Sequence, residues 1–287
     1  MATIRNPIEW GVDALKSMGG HANSTAKSVA GDRDKAAELP AINQIGLADI
    51  RQALKQGFDD FLSFRTDVLA LSVVYPAVGL LLWWAAANSE LVPLLFPLAS
   101  GFALLGPVAA VGLYEMSRQR EQGKTASWLS AFDVVRSPSA GSMIVLGLVL
   151  LGVFLAWLFA AQMIYMTFLG PAPPASMGSF LTQVFATTPG RLMALIGVGV
   201  GFVFALLVFA TSVISFPLLL DRNVGVAGAI VTSIRAVAAN PVPMTGWGLI
   251  VAGGLLAGSL PMLLGLVVVV PVLGHATWHL YRKLVAR

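Results

Sequence analysis

Five stretches of this chain carry no Asp, Glu, Lys or Arg: Val68–Ser89, Leu91–Tyr114, Pro138–Gly190, Leu192–Leu220 and Ala236–Tyr281. About 20 apolar residues cross the hydrocarbon of a bilayer as a helix. Lipid cannot satisfy backbone polar groups, so such a stretch forms a helix that satisfies its own. The first, second and fourth stretches each hold one helix. The third is too long for one, and Pro171, Pro173 and Pro174 divide it into a helix from about Met143 to Leu169 and an external loop. The fifth holds two helices that turn near Gly258–Met262. The spacing therefore predicts an all-α polytopic membrane protein with six transmembrane helices, at about 68–88, 91–114, 143–169, 192–220, 242–259 and 261–281. Only 11% of the residues are charged, against about 25% in a soluble domain, and a water-soluble fold is excluded.

Charge sets the direction. With six spans, seventeen of the eighteen Lys and Arg fall on one side of the membrane, Arg191 being the exception. The positive-inside rule makes that side cytoplasmic and places both termini there. The second span leaves lipid at Tyr114 and meets Arg118, Arg120 and Lys124 at once, an interfacial aromatic followed by positive charge. The first twenty residues hold Arg5, Glu9, Asp13 and Lys16 and lack an apolar run, so no cleavable signal peptide is expected. The absence of cysteine excludes disulfides, thiolate metal sites and thiol nucleophiles.

Residues 1–41 are polar and rich in small side chains and read as a mobile cytoplasmic tail. Over 42–66, Leu47, Ile50, Leu54, Phe58 and Phe61 recur at helical spacing, with Arg51, Lys55, Asp59 and Asp60 away from them. This is a cytoplasmic amphipathic helix, lying on the membrane surface or against the loops; the sharper alternative is a docking helix for a partner. Residues 67–287 form the transmembrane domain. Two of its cytoplasmic loops share a design. Arg120 precedes Gly123 by three residues, ahead of Trp128, Leu129, Phe132, Val135 and Ser137-Pro138; Arg222 precedes Gly225 by three, ahead of Ile230, Val231, Ile234, Val237 and Asn240-Pro241. Each loop reads as a short interfacial helix, and the pair as an internal repeat.

Little in the chain carries chemistry. His275 and His279 are spaced i, i+4 on one helix face, the spacing of a metal or haem pair. They stand among Trp278, Tyr281, Arg282 and Lys283, an interfacial belt, with no carboxylate motif beside them, so the structural reading is preferred and neither a cofactor nor a metal is expected. Glu115 and Asp221 sit at the inner ends of spans beside Arg118 and Arg222, the pattern of local ion pairs. Mid-span polarity is confined to uncharged groups such as Gln162, Gln183, Thr211, Ser212 and Ser215, which argues against a proton-coupled pump. The pairs Gly197/Gly201 and Gly254/Gly258 read as close helix packing. No phosphate loop, dinucleotide fingerprint or hydrolase elbow is present, and no enzymatic activity is expected.

Several segments resemble a known family: Leu47–Phe61, Phe96–Glu121, Phe216–Arg222, Ala239–Pro241 and Pro271–Arg282 are similar to uncharacterised bacterial integral membrane proteins grouped as domain of unknown function 2189. The resemblance spans about residues 45–285. It implies a proteobacterial inner-membrane protein and supplies neither an activity nor a site. Three functions are open: a non-enzymatic accessory, assembly or scaffold protein acting by contact with other membrane proteins or as a homo-oligomer; a transporter or channel for a small neutral or lipophilic solute; and a haem or metal protein using His275 and His279. An aqueous cavity lined by Gln162 and Thr211–Ser215 would favour the second. No nucleic-acid partner is expected.

Overall fold

The computed structural model describes residues 39–64, 74–87, 91–104, 106–124, 131, 133–134, 137–261 and 263–286. Its elements are helical: α1 (Leu47–Ser63), α2 (Val74–Ala87), a 3-10 turn at Val92–Leu94, α3 (Leu95–Leu104), α4 (Gly106–Ala109), α5 (Val111–Glu121), α6 (Ala140–Leu169), α7 (Met177–Ala186), α8 (Thr188–Ser212), α9 (Ser215–Asp221), α10 (Gly225–Ala239), α11 (Pro241–Ser259) and α12 (Leu266–Leu284). Among the described residues, three segments are long and apolar enough to cross a membrane: Ala140–Leu169, Thr188–Asp221, which joins α8 to α9, and Pro241–Ser259. The stretch 91–114, read as one span, opens with a 3-10 turn, and its described residues are then helical over Leu95–Leu104, Gly106–Ala109 and from Val111 onward. Pro93 stands in the 3-10 turn, where its missing backbone donor costs no α-helical hydrogen bond.

Helix ends follow local chemistry. The Thr187 hydroxyl accepts from the Gly190 amide at 3.0 Å and starts α8, with Pro189 in its first turn. Ser176 and Ser179 cap α7, a helix inside the loop that the prolines predict, by exchanging side-chain and backbone hydrogen bonds. Gly123 and Gly225 follow the ends of α5 and α9 with φ of 70° and 69°. Both occupy the left-handed region that glycine enters without a Cβ penalty. The two loops of the sequence repeat thus share a backbone feature as well as a spacing. Beyond it they are comparable only in part: α10 is the short helix expected in the second loop, whereas Trp128, Leu129, Phe132 and Val135 of the first lie outside the described residues.

The outer faces of α6, α8 and α11 are apolar and uncovered. Ile144, Leu155 and Phe159 on α6, Leu195 and Phe202 on α8 and Leu249 on α11 point away from the protein. Of the most apolar window in Thr188–Asp221, only 6% is buried. Between the helices the packing is close. A Cβ on Gly201 would come within 3.0 Å of Trp157, and one on Gly258 within 3.0 Å of Leu266. Trp157 is itself buried and donates its indole N–H to the Pro97 carbonyl at 3.1 Å, tying α3 to α6. The expected packing role thus holds for Gly201, Gly254 and Gly258, while Gly197 faces open space.

The core sits at one end of the bundle. There the C-terminal half of α12, from Gly274 to Leu284, is sheathed by α1, α5 and α9. Most of the buried polar residues gather in the same region, among them Asp60, Glu115, Ser117, Ser215, Ser233, Asn240 and His275. We refer to it as the cap.

Candidate functional site

The cap is assembled around α12. Residues 41–46 form a strap along its end: the Asn43 amide donates to the Leu284 carbonyl at 2.8 Å, and the Ala286 amide donates to the Ala41 carbonyl at 3.1 Å. Asn240, at the corner between α10 and α11, accepts from the Ile45 amide at 2.8 Å and donates to the Asn43 carbonyl at 3.1 Å. The strap delivers the chain into α1, which runs back along α12. Contacts reverse in order along the two elements, with Asn43 at Leu284, Gly57 at Ala276 and Phe64 at His275. The approach is closest at Gly57, where a Cβ would lie 2.5 Å from the Ala276 backbone nitrogen.

This contact corrects two expectations. The stripe Leu47, Ile50, Leu54, Phe58, Phe61 is not one buried face: Ile50, Ala53, Gly57, Asp60 and Phe61 turn inward, whereas Leu47 and Phe58 turn outward. Asp60, expected on the polar side, is only 4% exposed. Periodicity misplaces it because a carboxylate counts as outward-facing unless its partners are visible, and those partners lie far away in sequence. The second correction concerns the histidine pair. His275 and His279 have no carboxylate nearby in sequence, yet Asp60 meets them in space.

Asp60, on α1, gathers three donors from two other helices, α5 and α12. Its Oδ2 accepts from Ser117 Oγ at 2.6 Å and contacts His279 Nε2 at 2.8 Å, while Oδ1 pairs with Arg120. Ser117 Oγ also lies 2.8 Å from His275 Nδ1. The single hydroxyl proton of Ser117 is given to Asp60, so His275 carries its proton on Nδ1 and donates it to Ser117. The chain of donors runs from His275 through Ser117 to Asp60, and His279 donates to Asp60 from the other side. Burial opposes the Asp60 charge, but hydrogen bonds from His279 and Ser117 outweigh it and hold the carboxyl below its ordinary range. The Nε2 of His275 has no hydrogen-bond partner among the described residues.

A second network lies beside the first. Arg282 donates from Nε to Glu121 at 2.9 Å and from Nη1 to Asp221 at 2.9 Å. The Tyr281 hydroxyl donates to Asp221 at 2.6 Å, and the Trp278 indole donates to Glu121 at 3.1 Å. Arg282 also stacks over the rings of Trp278 and Tyr281. Glu121 ends α5 and Asp221 ends α9, the two helices that precede the repeated Gly123 and Gly225. Each loop of the repeat thus contributes an acid beside its arginine to one arginine of α12, Glu121 just after Arg120 and Asp221 just before Arg222. Local pairing holds for Glu115, whose Oε2 accepts from Arg118 at 2.8 Å. Asp221 also keeps its local pair, with Arg222 Nε at 3.7 Å, and is held more closely by Tyr281 and Arg282.

Two open cavities flank these networks. One, of about 530 Å³, is lined by Gln56, Asp60, Arg120, Glu121, His279 and Lys283 among others. The other, of about 300 Å³, lies between Arg118, Ser139 and Arg222. Neither is lined by Gln162 or Thr211–Ser215. The hydroxyls of Thr211, Ser212 and Ser215 donate instead to the helix carbonyls of Leu207, Val208 and Thr211.

The residue types Ser, His and Asp invite comparison with a nucleophilic triad, and the geometry rejects it. A triad serine gives its proton to the imidazole. Ser117 gives its proton to the carboxylate and is 1% exposed. Nor do His275 and His279 complete a metal centre: among the described residues no group of three or more His, Asp or Glu side chains is arranged to hold a metal ion. What the network does is hold α1, α5 and α12 together.

Residues 95–221 match the model of the family described as predicted integral membrane protein, domain of unknown function 2189, the family the sequence resembles. The matched region runs from α3 to the end of α9 and contains Ser117, Arg120, Glu121 and Asp221. No curated protein and no solved structure matches the chain. The protein is an integral membrane protein with several apolar helices.

Proposed function

For an integral membrane protein matched to this family, we propose a non-enzymatic accessory or scaffold role in the bacterial inner membrane, carried out through lateral contact with other membrane proteins. The proposal takes the six-span topology with both termini and the cap on the cytoplasmic side, where seventeen of eighteen basic residues fall. One observation carries the role. Glycines on the outward faces of α6, α8 and α11, namely Gly152, Gly197, Gly199 and Gly253, have open space where a Cβ would stand. Within lipid, small residues of this kind let a second helix approach closely. They lie among large exposed apolar side chains, and nothing else in the described part of this chain covers them.

The test is mass spectrometry of the material that co-purifies with a tagged full chain from native membranes in mild detergent. A stoichiometric membrane-protein partner supports the role, and the partner names the pathway. Recovery of the chain alone contradicts it and moves solute transport ahead. Topology has its own test: a reporter fused after Arg287 behaves as cytoplasmic, and an external C-terminus overturns the six-span count.

A further inference from the structure

The outward face of α1 has a composition that packing against α12 does not explain. Leu47, Phe58 and Leu62 are 62%, 46% and 49% exposed. At about 100° per residue they share one stripe of about 80° with Arg51 and Lys55, both exposed. The acids Asp49 and Asp59 fall outside that stripe, and neither cation forms an ion pair among the described residues. Asp49 is already engaged, accepting from the Gly46 amide and from Lys283. A helix face needed only for solubility would not expose three large apolar side chains around two such cations.

The position of this face identifies its occupant. Leu47 and Ile50 reach over Gly246 of α11, whose neighbours Val242 and Leu249 are exposed apolar residues of a membrane-length helix. The N-terminal end of the α1 stripe, at Leu47, therefore adjoins the lipid-facing surface. At the level where apolar surface gives way to charge, Leu47, Phe58 and Leu62 reach the acyl chains, and Arg51 and Lys55 extend their stems toward phosphate.

We propose that the outward face of α1 is a docking surface for anionic phospholipid, with Leu47, Phe58 and Leu62 inserted at the headgroup boundary and Arg51 and Lys55 binding headgroup phosphates. The inward face of α1 is clamped to α12 through Asp60, so the helix joins the headgroup layer to the cap. The same helix thus has two apolar faces: one packs on protein and the other on lipid. The inference is independent of whether the protein works as an accessory subunit.

The absence of cysteine makes a clean experiment. Phe58→Cys is labelled with an environment-sensitive fluorophore in the full chain, then reconstituted in vesicles of phosphatidylcholine alone or mixed with phosphatidylglycerol. Each vesicle carries a lipid whose spin-label quencher sits near the headgroup. A label at Gln56→Cys, which lines the cavity against α12, is the reference. The expected result is quenching at position 58 that increases with phosphatidylglycerol. Arg51→Gln and Lys55→Gln, both at exposed positions, each reduce the preference for phosphatidylglycerol about five-fold. Equal quenching in both vesicles, insensitive to the two substitutions, shows apolar contact without recognition of charge and overturns the proposal. A label at 58 quenched no more than that at 56 places the face in water or under another protein, and overturns it too.

Discussion

The outer belt and the cap are built on opposite rules. On α8 the helix is apolar nearly all round and little of it is buried, so its stability comes from lipid and from its own backbone ladder. In the cap, the end of α12 is enclosed by other helices and its polar side chains are paired: Asp60 with three donors, Arg282 with two acids. The belt tolerates change because its outward positions touch only what surrounds the protein. The cap cannot, because each buried charge depends on partners from other helices.

The sharpest way to break this contrast is a methyl group. Gly57→Ala puts a Cβ 2.5 Å from the Ala276 backbone and is expected to cost about 3 kcal/mol. Gly199→Ala, in open space on α8, is expected to be neutral or slightly stabilising, by at most about 1 kcal/mol. Thermal unfolding in one detergent measures both; equal effects would dissolve the distinction. Next in size is Asp60→Asn, which removes a carboxylate accepting charge-assisted bonds and is expected to cost about 2 kcal/mol in the same assay. Arg120 loses less than a fully buried partner would, since its side chain is 41% exposed. Arg282→Lys keeps the charge but cannot hold Glu121 and Asp221 with one planar fork, and about 1 kcal/mol is expected.

Acid titration acts on the cap alone. The folded-state pKa of Asp60 is held below its unfolded value. Its contribution to stability is therefore fully present above the unfolded value of about 4, and is lost as pH falls through the folded one. Protease access to α1 should rise over that acidic range, and Asp60→Asn should flatten the rise.

The belt was legible in the sequence because lipid imposes one rule on every residue. Long uncharged runs within Ala140–Leu169, Thr188–Asp221 and Pro241–Ser259 mark these helices without knowledge of their neighbours. The turn after Gly258 also falls where the small residues and Pro261 predict. The 3-10 turn at Pro93 lies in a stretch that apolar length alone reads as one continuous helix. The cap was not legible. Asp60 and His279 are separated by 219 residues, and helical spacing describes one helix at a time. A clue did exist: Gly57 interrupts the inward face of α1 one turn before Asp60, and a glycine inside a helix marks a close approach. The clasp on Arg282 had a clue as well, since each arginine of the matched Arg–Gly spacings adjoins one of the two acids that hold it, Arg120 beside Glu121 and Arg222 beside Asp221.

In this fold α1 is part of the membrane body and not a loose appendage. Hydrogen exchange of the full chain in lipid nanodiscs tests this directly. Amides from Ile50 to Phe61 are expected to exchange as slowly as those of α12 from Gly274 to Leu284, and Gly57→Ala to release the first set before the second. Rapid exchange across α1 in the unaltered chain, with α12 still protected, would contradict that placement.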